Sequence, residues 1–245
     1  MDSGYYAAMT GLVARTQALD IAAANLANAQ TPGYRAEREF FRSVLLGPDA
    51  ADSQLGRTVN DFGLLGGNRL NLQQGLLQAT GNPLDLALEG EGFFEIQTAQ
   101  GIRYTRDGNF RRSVDGRLVT ASGDAVLGVN NQPILLPPGE ISVGPAGNLS
   151  VAGGNVAMLA VLEFSQDTNL TAEGANRYVA PENAKPSAAR NFTVRQGALE
   201  GANEDLVQGS LELIVMQRQA EMMQKALTLF HTDFNKFATE DLPRV

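Results

Sequence analysis

The sequence has no cysteine, and His231 is the only histidine among its 245 residues. The lack of cysteine excludes disulfides, thiolate nucleophiles and the Cys/His class of zinc site. A Ser-His-Asp triad would have to use His231, but that residue lies beside Phe230 and Phe234 in a helical pattern typical of a packed or surface histidine. We therefore expect no catalytic triad, no metal and no cofactor.

Basic charge and long apolar runs are also scarce. The chain has 19 Lys and Arg against 27 Asp and Glu, a net charge of -8, whereas a protein that binds nucleic acid normally presents a basic face. No segment reaches the length of about 18 apolar residues that a transmembrane helix needs, and no basic start leads into an apolar stretch as in a secretory signal. These absences predict no nucleic-acid partner, no integral membrane segment and no cleaved signal peptide.

Three acidic residues keep an enzymatic alternative open. A periplasmic β-domain hydrolase could use Glu89, Glu91 or Asp107, provided that two carboxyls stand at a working separation and one has a raised pKa. Glu89 and Glu91 are two residues apart in an extended segment, a spacing that is typical of a solvated face. Another alternative is a soluble binding module whose terminal helices only cap its β domain.

The N-terminal thirty residues predict an amphipathic helix rich in alanine. Apolar or small residues recur in steps of four and three, which is a heptad pattern: Tyr5, Met9, Leu12, Thr16, Leu19, Ala23 and Leu26. The helix should end at Thr31-Pro32-Gly33, because proline disfavours helix at the residue before it and glycine permits a change of direction.

The C-terminal segment predicts a second and longer helix. Its apolar positions also recur in steps of three and four: Leu206, Gly209, Leu213, Met216, Ala220, Met223, Leu227, Phe230, Phe234 and Phe237. Asn203 can cap the first turn. Each helix could pack on a central domain, as most amphipathic helices do, but the matching patterns at both termini favour pairing with each other.

Between the helices, short runs rich in Val, Ile and Leu alternate with Gly, Asn, Asp and Pro turns about every eight residues from Arg103 onward. This texture predicts an antiparallel β domain closed into a barrel or sandwich. The predicted class is α+β, with terminal helices in a coiled-coil-like domain. The predicted divisions are an N-terminal helix (1–34), an extended connector (35–75) with short strands near Leu64 to Leu72, the β domain (76–200) and a C-terminal helix (201–245).

Several motifs carry a family resemblance. The segments "NLANAQTPGYR", "QGLLQATGNPLDLALEGEGFF", "YTRDGNF", "DGRLVTASGDAVLG" and "GALEGANEDLVQGSLELIVMQRQAEMMQKAL" occur in this order, and they resemble the flagellar rod and hook proteins. The resemblance covers most of the chain except about 43–70, and it is greatest to the proximal-rod members, with distal-rod and hook members as alternatives.

The resemblance implies a structural, non-enzymatic subunit of the flagellar basal-body rod, which transmits torque from the motor to the hook. It further implies assembly with other rod subunits or copies of itself, and passage through the flagellar export apparatus into the periplasm without a cleaved signal. The expected subunit interface comprises Tyr5, Met9, Leu12, Leu19, Leu26, Leu206, Leu213, Met216, Met223, Leu227, Phe230 and Phe234. The expected family-motif residues are Asn25, Leu26, Asn28, Thr31, Pro32, Gly33 and Tyr34.

Overall fold

The computed structural model describes residues 2–42, 64–165 and 168–236 of the chain. Along these residues the backbone forms two helices, α1 (Asp2–Ala27) and α2 (Leu206–Lys236). The strands in chain order are β1 (Glu37–Arg42), β2 (Leu64–Leu70), β3 (Leu77–Ala79), β4 (Leu86–Gly90), β5 (Phe93–Thr98), β6 (Gly101–Thr105), β7 (Phe110–Arg112), β8 (Leu118–Thr120), β9 (Ala125–Val126), β10 (Ile141–Val143), β11 (Asn148–Val151), β12 (Gly154–Met158), β13 (Val161–Glu163), β14 (Thr171–Gly174), β15 (Arg177–Val179), β16 (Ser187–Ala188), β17 (Phe192–Gln196) and β18 (Ala198–Glu200). The fold is therefore mostly β, with one helix preceding the strands and one following them.

The chain divides into two compact units. The terminal unit comprises Met1–Ala27, Glu37–Asn68 and Leu206–Val245, and it contains both helices, β1 and most of β2. The β unit comprises Asn28–Ala36 and Arg69–Asp205, and it contains β3 to β18. Each unit is therefore assembled from segments that are distant in sequence.

The β unit is built on one nine-stranded sheet. Seven of its strands follow the order β14-β15-β6-β5-β9-β8-β7, and β13 joins them by pairing with both β5 and β16. Smaller sheets pair β11 with both β10 and β12, β4 with β17, and β3 with β18, all of them antiparallel. The prediction of a central, mainly antiparallel β domain is confirmed.

Strand β5 lies inside the main sheet and is buried on both faces. Side chains alternate across a strand, so the adjacent Phe93 and Phe94 point to opposite faces, and both are buried. Phe94 belongs to the larger apolar core and packs edge-on against Phe110, with ring centroids 5.1 Å apart. Phe93 belongs to a second cluster and packs edge-on against Tyr178 at 5.7 Å. The second cluster matters for the site described below.

The terminal unit corrects the predicted fold class. Its helices pack against each other, and β1 packs against α1. The buried face of α1 consists of small residues, Gly11, Ala14, Ala18 and Ala22, whereas Met9 of the predicted heptad pattern is 49% exposed. A coiled coil buries large side chains as knobs between facing helices. The prediction of an α+β fold with a coiled-coil-like terminal domain is therefore wrong.

The error has a physical cause. Small residues at helical spacing allow two helix backbones to approach closely, and they bury their face without any large side chain. The spacing of large apolar residues does not reveal such a face, because helix propensity alone already explains the alanines of α1. In the described ranges, neither helix combines the length and the apolar character required to cross a bilayer.

Candidate functional site

The predicted interface residues of α1 lie away from its buried face. Met9 is exposed, and Leu12, Leu19 and Leu26 are half-buried. Tyr5 lies within α1, but its side chain falls outside the described residues. The structure therefore leaves this side of the helix partly open to solvent instead of burying it within the terminal unit.

The predicted interface residues of α2 mostly share one face. Leu213, Met216, Met223 and Leu227 are half-buried at helical spacing from the buried Gly209. Leu206, at the first turn, is instead 42% exposed. The side chains of Phe230 and Phe234 lie outside the described residues, and so does the whole of Phe237.

A second apolar face on α2 was missed by the sequence analysis. We call it the outer face of α2 and define it by six large residues that share helical spacing and are each at least 50% exposed: Val207, Leu211, Ile214, Val215, Met222 and Leu229. These residues stand opposite the half-buried face. The same periodicity would have revealed them, but the first pattern already accounted for an amphipathic helix. Exposed apolar residues that share one side of a helix are typical of an interaction surface.

Asn25 of the family motif makes a paired contact within the terminal unit. Its side-chain amide donates to the carbonyl of Glu37 at 2.8 Å and accepts from the Glu37 N–H at 2.9 Å. The asparagine is 5% exposed, so it satisfies both backbone groups at the start of β1 in a place where water is scarce. This polar role explains an asparagine in a helix that is otherwise rich in alanine.

The rest of the motif leads into the β unit through a tight turn. The Thr31 N–H donates to the carbonyl of Asn28 at 2.9 Å, and the Tyr34 N–H donates to the carbonyl of Thr31 at 3.2 Å. The carbonyl of Pro32 accepts from the Asn176 side chain at 2.9 Å. Gly33 has φ +70° and donates its N–H to the carbonyl of Glu200 at 2.7 Å. The motif is thus fixed to two segments that are far away in sequence.

Arg35, Arg106 and Glu200 form what we call the buried ionic cluster. One carboxylate oxygen of Glu200 lies 2.7 Å from Arg35 Nη2 and the other lies 3.2 Å from Arg106 Nη1. All three residues are at most 3% exposed. The first carboxylate oxygen also accepts from the Gly75 N–H at 2.9 Å. A single carboxylate therefore holds two buried guanidinium groups.

Aromatic and backbone groups complete the surroundings of the cluster. The Arg35 N–H donates to the Tyr178 hydroxyl at 2.9 Å, and the Arg106 guanidinium lies over the Phe93 ring at 5.2 Å, as in a cation–π contact. Burial lowers the pKa of Arg106 to about 10 against the opposing effect of Glu200, and burial raises the pKa of Tyr178. Both groups keep their usual ionisation state at neutral pH, so the cluster fixes structure without exchanging protons.

The acidic residues of the enzymatic alternative are arranged differently from an acid–base pair. The Glu89 side chain is 46% exposed and lies 2.5 Å from Arg195, and the hydrogen bond from this arginine lowers its pKa, which is the opposite of what a general acid needs. Glu91 is also exposed. Burial raises the pKa of Asp107, but its carboxylate accepts from the Asn109 N–H at 2.9 Å. Within the described residues, no three acidic or histidine side chains form a group that could hold a metal ion.

Glu95 provides a pH-dependent test of the β unit. This residue of β5 is 4% exposed, and burial raises its pKa. The folded chain therefore binds this proton more tightly than the unfolded chain, so the ionised carboxyl lowers stability above its folded pKa, and that cost disappears as pH falls through it. We expect Glu95→Gln to increase the free energy of unfolding at neutral pH, with a gain that shrinks in acid. Urea unfolding over a pH series checks this, and a pH-independent gain would contradict it.

A mostly β chain that combines an antiparallel β unit with terminal helices exposing apolar faces has the features of a structural subunit of an assembly. Residues 87–151 match a family model described as the flagellar hook protein FlgE/F/G D1 domain, and residues 6–35 match one described as a flagella basal body rod protein. The chain belongs to the flagellar basal-body rod protein family.

Individual relatives give the same result. The flagellar basal-body rod protein FlgF of Caulobacter vibrioides is 32% identical over 229 residues, which cover 93% of each chain. The rod protein FlgG of Bacillus subtilis is 30% identical over 248 residues, covering 91% of this chain and 93% of its own. FlgF of Salmonella typhimurium is 30% identical over 243 residues, which cover 93% of this chain and 94% of its own. In each comparison, the similarity thus extends over nearly the full length of this chain and of the relative.

Proposed function

We propose that this chain is a structural, non-enzymatic subunit of the flagellar basal-body rod, of the proximal-rod type named FlgF in its relatives. It reaches the periplasm through the flagellar export apparatus without a cleaved signal peptide, and it assembles there with other rod subunits. The FlgF relatives, which include the 32% identical protein of Caulobacter vibrioides, support the type. The FlgG relatives support the distal-rod type as the alternative.

The outer face of α2 is the single observation that carries the assembly role. Its exposed fractions reach 71% at Val207, 60% at Leu211 and 63% at Leu229. Each buried apolar side chain of this size contributes roughly 1.5–3 kcal/mol, so burying this face against neighbouring subunits would stabilise an assembly strongly. Exposed faces on both helices would let one subunit contact several neighbours. The predicted interface residues Met9, Leu12, Leu19 and Leu26 of α1 extend the proposed surface.

Leu211→Glu tests the proposal in cells. The change places a charge in a contact that assembly would desolvate, at a cost of several kcal/mol, while an exposed position in the monomer tolerates it. In a host strain lacking its FlgF gene, we expect the wild-type chain to restore swimming and the variant to leave cells non-motile without basal bodies. Motility in soft agar and electron microscopy of basal bodies give the readouts.

Gln217→Glu is the matched control, because Gln217 is exposed on α2 but points away from the outer face. It introduces the same charge six residues further along the helix, and we expect normal swimming. Circular dichroism should show that both variants keep the wild-type fold. Normal motility of Leu211→Glu would refute the proposed role of the face, and rescue of a strain lacking FlgG instead would assign the chain to the distal-rod type.

A further inference from the structure

The helix α2 holds half of the methionines of the chain. The sequence has six methionines and no cysteine, so thioethers are its only sulfur groups. Met216, Met222 and Met223 fall within one eight-residue stretch of α2. Met216 and Met223 are half-buried, whereas Met222 belongs to the outer face of α2 and is 63% exposed. Among the methionines whose side chains the structure describes, Met222 is therefore the one most open to a reagent in solvent.

Two exposed cations flank Met222 on the same side of the helix. Arg218 stands four residues before it and Lys225 stands three residues after it, and these spacings bring side chains together on a helix surface. A thioether is only a weak hydrogen-bond acceptor, so the unmodified side chain offers the two cations little to bind. A sulfoxide is polar, and its oxygen would be an acceptor between them.

We propose that Met222 is an oxidation site, and that its sulfoxide keeps the outer face of α2 from being buried in the rod until the thioether is restored. The oxidant is hydrogen peroxide. A sulfur lone pair attacks one peroxide oxygen, the O–O bond breaks, and the hydroxide that leaves takes the remaining proton and departs as water. Sulfur is oxidised and the peroxide is reduced. A methionine sulfoxide reductase reverses the step, with two thiols forming a disulfide and the oxygen leaving as water.

The switch rests on the proposed rod function, in which the outer face contributes by burying apolar side chains. Oxidation converts a flexible apolar side chain into a polar one, and burying a polar group without a partner costs free energy. A sulfoxide that binds Arg218 or Lys225 also holds a charge over the apolar face, which raises the cost of burial further. Assembly would cover Met222, so the same oxidant acts on free subunits and spares those already in the rod.

Peptide mass spectrometry tests the accessibility of the site. The purified full-length chain and isolated basal bodies are treated with the same dilute hydrogen peroxide, and the fraction of each methionine that gains one oxygen is followed with time. In the free chain we expect Met222 to react several-fold faster than Met216 and Met223. In basal bodies we expect Met222 to be protected. Equal reactivity of Met222 in the two samples would overturn the inference.

Two substitutions of Met222 separate the effect of polarity from that of shape. Met222→Gln is unbranched and polar like the sulfoxide, whereas Met222→Leu is apolar and cannot be oxidised. In a host strain lacking its FlgF gene, we expect the leucine variant to swim like the wild type and the glutamine variant to lose most of its swimming. When a peroxide pulse is given while cells build new flagella, we expect the leucine variant to keep more motility and more basal bodies than the wild type.

Met158→Gln is the matched control, because Met158 is 42% exposed but lies on β12 of the β unit, and we expect it to swim normally. Equal loss for Met158→Gln and Met222→Gln would overturn the inference. Normal swimming of Met222→Gln, or a Met222→Leu chain that is non-motile or as sensitive to peroxide as the wild type, would do the same.

The failure of the switch and the failure of the proposed function give different results. If Leu211→Glu abolishes basal bodies while Met222→Gln swims normally, the switch is wrong and the rod function stands. If Leu211→Glu leaves motility intact, the proposed function itself fails.

Discussion

Glu200→Gln should lower the free energy of unfolding of the β unit by about 3–5 kcal/mol, the range measured when one partner of a buried ion pair is removed. The amide keeps the shape of the carboxylate and can still accept from the Gly75 N–H. It cannot compensate the charges of Arg35 and Arg106, which are 1% and 3% exposed. Both guanidinium groups would then remain buried without a counter-ion. Urea unfolding followed by circular dichroism of the strands measures the loss.

Glu89→Gln is the matched control for this prediction. Glu89 also pairs with an arginine, Arg195, but both side chains are largely exposed, and surface ion pairs contribute little to stability. We expect a much smaller change for Glu89→Gln than for Glu200→Gln. Similar losses for the two variants would show that the buried ionic cluster does not stabilise the β unit in the way described above.

Gly33→Ala should destabilise the β unit for two separate reasons. Gly33 has φ +70°, a conformation that costs an L-residue about 1–2 kcal/mol. A Cβ at this position would also lie 2.2 Å from the Asp107 backbone nitrogen, and overpacking against backbone costs a further 1–3 kcal/mol, approximately. The expected total is about 2–5 kcal/mol in urea unfolding.

Gly81→Ala separates the two contributions. Gly81 has φ +77°, close to that of Gly33, but a Cβ there meets no atom within 4 Å. We expect this variant to lose only the conformational part, about 1–2 kcal/mol. Equal destabilisation by Gly33→Ala and Gly81→Ala would mean that the close approach of Gly33 to Asp107 has no energetic consequence.

The elements that local pattern dictates were predictable from the sequence. Regularly spaced Gly, Asn and Asp turns indicated an antiparallel β domain, and the steps of three and four residues indicated both helices. The pattern could not show which side of α1 would be buried, because Ala14, Ala18 and Ala22 offer little hydrophobic contrast with the alanines around them. Close packing of backbones favours small residues, so the alanine face of α1 is buried instead of the side that carries Met9 and Leu12.

The buried ionic cluster could not be predicted for a different reason. Arg35 and Glu200 are separated by most of the β unit, and Arg106 lies on a third segment. Ordinary surface arginines and glutamates occur throughout such a sequence, so nothing local distinguishes these three. The pairing of β3 with β18 and the path of residues 33–36 bring Arg35 and Glu200 together, and Arg106 reaches them from the segment that follows β6. The "TPGYR" motif was recognisable in the sequence, but only the structure shows which residues contact Gly33 and Arg35.

The bonds around Gly33 and Glu200 have a mechanical consequence. Residues 33–36 end the first stretch of chain in the β unit, after α1 and before β1, and residues 200–203 lie near the end of the second stretch, before α2. The two stretches are tied directly, from the Gly33 N–H to the Glu200 carbonyl at 2.7 Å and from Ala36 N–H to the Asn203 side chain at 2.7 Å. Tension applied along the chain between the helices would load this short bridge before it loads the chain between residues 36 and 200. The β unit could then vary in sequence and shape while the load-carrying connection stayed the same.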